Sequence, residues 1–276
     1  MSFLKDLIDA IDAKVKNPPS TPILINENKK LLMCFDSRWI QSAMSLDDPD
    51  KLELGYTRTM MGFLLFNPTP KSVAMIGLGG GSLAKYCVKH LPEATVTAVE
   101  INAQVIALRD KFMVPADSEQ FKVLHANGAN YVLNSSEKVD VLLVDGFDAQ
   151  GHPARLGTSR FYANCYAKLN DGGVLVVNLL GRDQKFGTYV ARIRECFQDQ
   201  VVVVDAEEDG NKIVFAYKGV YFPIPEENIL EATHKLKRQH PIPLHDTALK
   251  IIKRLEKTPA SLSGRYFSSL NIRSNE

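Results

Sequence analysis

Two carboxylates, Asp145 and Asp148, follow the most hydrophobic segment of the sequence, which runs from Val139 to Val144. Such a segment is typical of a parallel strand buried on both faces. Ligands of open α/β sheets bind beyond the carboxyl ends of the strands, so we expect Asp145 to face a ligand rather than bulk water. Two carboxylates at this spacing can share one cationic amine, one as general base and one as anchor. The alternative for Asp148 is that it only caps the following loop.

Glycines are concentrated between Gly77 and Gly81, where four of the five residues are glycine. The segment follows a short apolar run and precedes a helical pattern, so its backbone can approach a ligand with no Cβ in the way. A tight turn without a ligand is the alternative, but it does not require so many glycines. We therefore interpret the segment as the floor of a nucleotide site.

Polar residues also end the next two predicted strands. Glu100 ends the first, where an acidic side chain can accept both ribose hydroxyls of a nucleoside, although an isolated acid there would be a solvated strand end. Asn127 and Gly128 follow the second, where Asn127 can reach an adenine edge, and a polar turn explains this pair equally well. The glycine loop and Glu100 alone leave a nicotinamide dinucleotide and an adenosyl sulfonium cofactor both open, although Ser82 departs from G-x-G-x-x-G by replacing its last glycine.

From Lys71 onward, strand patterns alternate with helical patterns, which predicts a doubly wound, mostly parallel α/β sheet. We expect a helix, a β-hairpin and a linking helix in residues 1–66, the nucleotide-binding domain in 67–222, and two helices with a polar tail in 223–276. The predicted strands are 22–26 and 30–35 in the hairpin and 73–77, 95–101, 121–125, 139–145, 173–180, 201–205 and 212–218 in the sheet. The predicted helices are 4–15, 52–65, 82–91, 103–112, 130–134, 161–169, 187–197, 227–238 and 246–255.

Composition narrows the function classes. The chain has 276 residues, a net charge of +1 and 45% hydrophobic residues, which gives no electrostatic argument for nucleic acid or an anionic membrane as partner. The four cysteines are widely scattered and have no CxxC spacing, so we expect neither a zinc site nor disulfides. No segment reaches the roughly 20 apolar residues that a membrane span requires. We expect a cytoplasmic protein without a metal.

Several of these segments together resemble the spermidine synthase family, the polyamine aminopropyltransferases. Residues 76–82, 99–102 and 144–153 are similar, in order, to its glycine loop, its ribose-binding acid and its gatekeeping acidic loop. Residues 35–41 are similar to its hairpin that ends in a cofactor-contacting Gln, and Tyr56 to its substrate-contacting Tyr. The resemblance covers about residues 20–220. It implies the seven-stranded Rossmann fold of S-adenosylmethionine-dependent methyltransferases. The small N-terminal helix is expected from the sequence pattern instead, since the chain before Pro22 is unlike the family's usual β-rich N-terminal domain.

The resemblance also implies a reaction, in which a primary amine such as putrescine attacks the carbon beside the sulfonium of decarboxylated S-adenosylmethionine. Asp145 would be the general base, and Asp148 and Tyr56 would orient the amine. A homodimer and a small-molecule amine substrate are expected, and the identity of that amine stays open. The implied donor-binding residues are Gln41, Gly77, Gly79, Gly80, Glu100, Asn127 and Gly128.

Three single positions and the acidic loop depart from the family pattern. Gly80 stands where the family has an Asp that holds the donor's ammonium and repels the carboxylate of ordinary S-adenosylmethionine. Asn127 replaces the adenine-reading acid, Asn178 replaces a Gln, and the acidic loop reads Asp-Gly-Phe-Asp rather than Asp-Ser-Ser-Asp. Without the repelling charge, S-adenosylmethionine itself could serve as cofactor, so a methyltransferase on the same fold is the alternative. A nucleoside-binding protein without catalysis is a third hypothesis, against which the retained Asp145, Asp148 and Tyr56 argue.

Overall fold

The protein is described from a computed structural model. The structure describes residues 21–35, 40–134, 136–147, 151–207, 210–219 and 224–256. The predicted helix 4–15, the polar tail and Asp148 lie outside the described residues.

A small antiparallel sheet of three strands, in the order β1-β2-β3, comes first: β1 (Ile23–Glu27), β2 (Lys30–Cys34) and β3 (Ile40–Ser45). The predicted hairpin is confirmed, and its two-residue turn has positive φ at both Asn28 (49°) and Lys29 (58°), as the turns that match strand twist require. The sequence pattern did not predict β3. Three consecutive residues of this strand are buried, so it lacks the alternation by which a half-buried strand is recognised.

The main sheet has seven strands in the order β6-β5-β4-β7-β8-β10-β9. All neighbouring pairs are parallel except those of β10, which runs antiparallel to both β8 and β9. The predicted seven-stranded, mostly parallel sheet is therefore confirmed. Its strands are β4 (Ser72–Ile76), β5 (Thr95–Glu100), β6 (Phe121–His125), β7 (Val139–Val144), β8 (Leu169–Leu180), β9 (Val201–Asp205) and β10 (Asn211–Lys218).

Helices lie before, between and after these strands. The predicted helix 103–112 ends early, at Ile106, because the chain continues in tighter turns that bond three residues back, for example Arg109 N–H to the Ile106 carbonyl (3.1 Å). The helices are α1 (Gly55–Met60), α2 (Ser82–His90), α3 (Ala103–Ile106), α4 (Gly128–Asn134), α5 (Ser159–Lys168), α6 (Phe186–Cys196), α7 (Glu226–Leu236) and α8 (Leu244–Leu255), with 3₁₀ turns at Met61–Leu65 and Ala154–Gly157.

The sheet is covered on both faces. Leu142 and Val144 of β7 pack with α5 and α6 on one side, whereas Val141 and Leu143 pack on the other side in a cluster that includes α2, α7 and α8. All four side chains are fully buried, which explains why the strand is a continuous apolar run in the sequence. Among the described residues, no helix is both long enough and apolar enough to cross a membrane.

Candidate active site

A cavity of about 400 Å³ lies at the carboxyl ends of β4, β5 and β7, and the three-stranded sheet covers it. Strand β4 has β5 on one side and β7 on the other, so the chain leaves it in opposite directions across the sheet. Open α/β sheets bind ligands at such a reversal of strand order. Most residues expected at the site line this one cavity: Gln41, Tyr56, Gly77, Gly79, Glu100, Asn127, Gly128 and Asp145.

Gly77 and Gly79 need to be glycine for two separate reasons. Their φ angles are +96° and +55°, in the region that L side chains rarely adopt. A Cβ on Gly77 would also lie 2.4 Å from the carbonyl oxygen of Asp145, because the ends of β4 and β7 touch there. The absence of a Cβ at Gly77 thus allows the backbone of Asp145 to lie directly against the glycine loop.

Gly80 lies behind the cavity wall and does not line it. Its N–H donates to the hydroxyl of Ser42 (2.8 Å), and a Cβ there would lie 2.7 Å from the ring of the buried Phe112. A side chain at this position therefore has to displace a core aromatic ring.

Glu100 is buried, with 8% of its surface exposed, and both carboxylate oxygens already accept backbone bonds. The N–H of Leu78 donates to Oε2 (2.9 Å) and the N–H of Asn102 donates to Oε1 (2.8 Å). Each carboxylate oxygen has a second lone pair, so two acceptor positions remain. Two adjacent hydroxyls, as on a ribose, match that remaining capacity.

The side-chain oxygen of Asn127 accepts from the N–H groups of Ala129 (3.0 Å) and Asn130 (3.2 Å) at the start of α4. The polar-turn interpretation therefore describes this oxygen correctly, since it caps a helix. The amide NH₂ makes no hydrogen bond to any residue that the structure describes, so it can donate into the cavity. Gly128 packs on β4, where a Cβ would lie 2.3 Å from a methyl group of Ile76.

Asp145 accepts one hydrogen bond on each oxygen. The Asn178 amide donates to Oδ1 (2.8 Å) and the Tyr56 hydroxyl donates to Oδ2 (3.1 Å). Burial raises the pKa of Asp145 to about 6, and the two hydrogen bonds oppose that rise. Burial and the neighbouring Asp145 raise the pKa of Tyr56 well above its usual value, so Tyr56 stays a donor. A carboxylate with a pKa near neutrality is suited to accept a proton from a substrate.

Two site features were not predicted from the sequence. Arg155 lines the cavity, as does Phe147 of the acidic loop, so Glu100, Asp145 and Arg155 are the charged side chains of the cavity within the described ranges. Asn211, on β10, donates to the carbonyl oxygen of the Asn178 side chain (2.8 Å). This contact joins residues far apart in the chain, and no local sequence signal indicates it.

Within the same described ranges, no cluster of three or more His, Cys, Asp or Glu side chains could hold a metal ion.

Comparison with solved structures supports the fold. A spermidine synthase in complex with the transition-state analogue AdoDATO has a TM-score of 0.67 at 21% identity, covering 90% of this chain and 85% of that one. Human methyltransferase-like protein 13 in complex with SAH has a TM-score of 0.62 at 22% identity, covering 67% and 92%. At such identities the likeness establishes the fold alone, and it confirms the expected methyltransferase-like Rossmann architecture.

Sequence comparison is more specific. A polyamine aminopropyltransferase of Chromobacterium violaceum is 41% identical over 183 residues, which are 66% of this chain and 70% of that protein. One from Neisseria meningitidis is 39% identical over 181 residues, which are 65% and 69% of the two chains. Residues 53–228 match the spermine/spermidine synthase domain. This match contains the glycine loop, Glu100 and Asp145, and the chain belongs to the spermine/spermidine synthase family.

Proposed function

We propose that this protein is an aminopropyltransferase that moves the aminopropyl group of decarboxylated S-adenosylmethionine to a polyamine acceptor such as putrescine. The observation that carries the proposal is that Asp145, doubly hydrogen-bonded and with a raised pKa, lines the same cavity as Glu100. The family and its similarity to named aminopropyltransferases support the same reaction.

In this proposal the donor's ribose hydroxyls bind the two free acceptor positions of Glu100. The NH₂ of Asn127 donates to a ring nitrogen of adenine, and Gln41 contacts the donor from the covering sheet. Gly77 and Gly79 supply a floor on which the nucleoside lies against the backbone. A neutral base and a ribose have no pyrophosphate, which agrees with a cavity in which Arg155 is the sole cation among the described lining residues.

The chemical step begins when Asp145 takes a proton from the primary ammonium of the acceptor, because an ammonium has no lone pair with which to attack. The freed nitrogen lone pair forms a bond to the carbon beside the sulfonium. The carbon–sulfur bond breaks, its electron pair goes to sulfur, and neutral methylthioadenosine leaves. Tyr56 and Asn178 hold the carboxylate in place, and we assign Tyr56 and Asp148 to orienting the amine.

Both reactants are cationic, so they repel one another in the cavity. A carboxylate at ~4 Å from either charge offsets this by on the order of 4 kcal/mol in a partly screened site. Asp145 therefore has two roles in the proposal, base and counter-charge. We also propose that the protein is a cytoplasmic homodimer, with domain boundaries at residues 66/67 and 222/223.

The test is incubation of the purified protein with both sulfonium donors and a panel of polyamines, with products identified by mass spectrometry. A mass increase of one aminopropyl group, only with the decarboxylated donor and lost in Asp145→Asn, is the expected result. Methylated product from S-adenosylmethionine would replace the proposal with the methyltransferase alternative. No product, combined with binding of methylthioadenosine, would leave a nucleoside-binding protein.

A further inference from the structure

Asn178 lies between Asp145 and a residue that does not reach the cavity. It is 2% exposed at the carboxyl end of β8, and its NH₂ donates to Asp145 Oδ1 (2.8 Å). Its carbonyl oxygen accepts from the NH₂ of Asn211 (2.8 Å). The three side chains form a short chain of hydrogen bonds with Asn178 in the middle.

The register of the sheet explains the contact. Asn178 pairs with Ile213 in the antiparallel β8–β10 ladder, and Asn211 pairs with Leu180. Asn211 is therefore the diagonal neighbour of Asn178 on the same face of the sheet, a position from which a polar side chain can reach across. Asn211 does not line the cavity, so it can act on the reaction only through Asn178.

A buried amide can be turned over with almost no change in shape, but the two orientations differ completely toward a carboxylate. With its NH₂ toward Asp145, Asn178 donates a hydrogen bond that favours the ionised base. With its oxygen toward Asp145, two acceptors face each other and the carboxylate is disfavoured. The NH₂ of Asn211 on the far side of Asn178 favours the first orientation, because it satisfies the Asn178 carbonyl oxygen there.

We propose that Asn211 is a positioning residue for the general base: it holds the Asn178 amide in the one orientation that donates to Asp145. The inference rests on the proposed function for its catalytic meaning. The titratable group that faces Asp145 directly is Tyr56 of α1, and Glu100 and Arg155 line the same cavity.

The experiment follows the titration of Asp145 itself by NMR of protein labelled with ¹³C at the aspartate carboxyl carbon. The Asp145 resonance is identified as the one that is missing from the spectrum of Asp145→Asn. In Asn178→Leu the Asp145 midpoint moves up by about one to two pH units, the scale of one hydrogen bond to a charged group. Asn211→Leu moves it up by about half to one unit, since the amide keeps some of its time in the donating orientation. Asn211→Leu causes no further shift in the Asn178→Leu background.

The matched control is Asn170→Leu, which removes another side-chain bond from β8 to an aspartate, Asn170 to Asp140 (2.8 Å), remote from the cavity. It leaves the Asp145 titration unchanged. Cooperative thermal unfolding confirms that each variant is folded, and Asn211→Ala repeats the test if Asn211→Leu does not unfold cooperatively. Asn211→Gln, which keeps an NH₂ donor, shifts the Asp145 midpoint less than Asn211→Leu does.

An unchanged Asp145 midpoint in both Asn211→Leu and Asn211→Ala overturns the proposal. A shift in Asn211→Leu that adds fully to that of Asn178→Leu also overturns it. Because the titration is measured in the free protein, it is independent of whether aminopropyl transfer occurs. The acid limb of kcat/KM follows the same shifts if the proposed function is correct, and absence of wild-type product refutes the function separately.

Discussion

Replacing Asp145 by Asn is expected to make the protein more stable and nearly inactive. The substitution keeps the side chain's shape: the new amide oxygen accepts from Asn178, and the new NH₂ donates to the Tyr56 hydroxyl, which can rotate its proton away. No lone pair remains that can take a proton from an amine, so turnover falls by about a hundredfold or more, the usual scale for a general base.

The gain in stability follows from the raised pKa. The pKa of Asp145 is about 6 in the folded protein against an ordinary value of 3.8, so the folded state binds its proton more tightly than the unfolded state does. At pH 7 and above, burial of the charged form costs on the order of 3 kcal/mol, and this cost disappears as pH falls from about 6 to about 4. Asp145→Asn removes the charge and keeps the volume, so the difference in unfolding free energy between the two proteins isolates this cost.

The assay is thermal unfolding of wild type and Asp145→Asn between pH 4 and 8. For a chain of this size about 1 kcal/mol moves Tm by roughly 2–4 °C, so the variant is higher by several degrees at pH 7.5 and equal to wild type near pH 4. Asp140→Asn is the control, since the Asp140 carboxylate accepts hydrogen bonds from Lys71 N–H (2.7 Å) and other donors outside the cavity. This substitution lowers Tm because it removes an acceptor from those donors. A lower Tm of Asp145→Asn at pH 7.5, or unchanged turnover, would refute the reasoning.

Three further outcomes are expected. In Glu100→Gln the new side chain can accept only one of the two backbone hydrogen bonds, because its NH₂ must face the other donor. The variant therefore has a Tm lower by several degrees and binds methylthioadenosine at least about tenfold more weakly by calorimetry. Equal binding would remove Glu100 from the donor site. Gly80→Asp reduces binding of both sulfonium donors alike, because its Cβ meets the Phe112 ring (2.7 Å); selective loss of S-adenosylmethionine binding would show that charge dominates. Burial lowers the pKa of His240 from 6.5 to about 4. Its contribution to the free energy of unfolding is therefore fully present above pH 6.5, and about 3 kcal/mol of it is lost as pH falls toward 4. The difference in Tm between wild type and His240→Phe, measured across this pH range, tests this, and a pH-independent difference contradicts it.

Much of the fold could be predicted because its signals are local. The predicted bounds of β6 and β9, 121–125 and 201–205, are those of the structure. β7 is recognisable as a buried strand because both of its faces are covered. The strand β3 was missed for the related reason that burial on both faces removes alternation from a short mixed strand. Helix α3 was overestimated, since tighter turns and a helix share the same apolar spacing over one turn.

The amino-acid sequence alone determined which residues are available for the chemistry: a glycine run after a strand, an acid at the end of the next, and Asp145 at the end of the most apolar one. These follow from conformational preference and burial, which act within a few residues. Only the tertiary structure decided that Gly80 faces Phe112 and that Asn211 supports Asn178. Such contacts depend on strand order and register, and these are set by packing between segments that are distant in the chain.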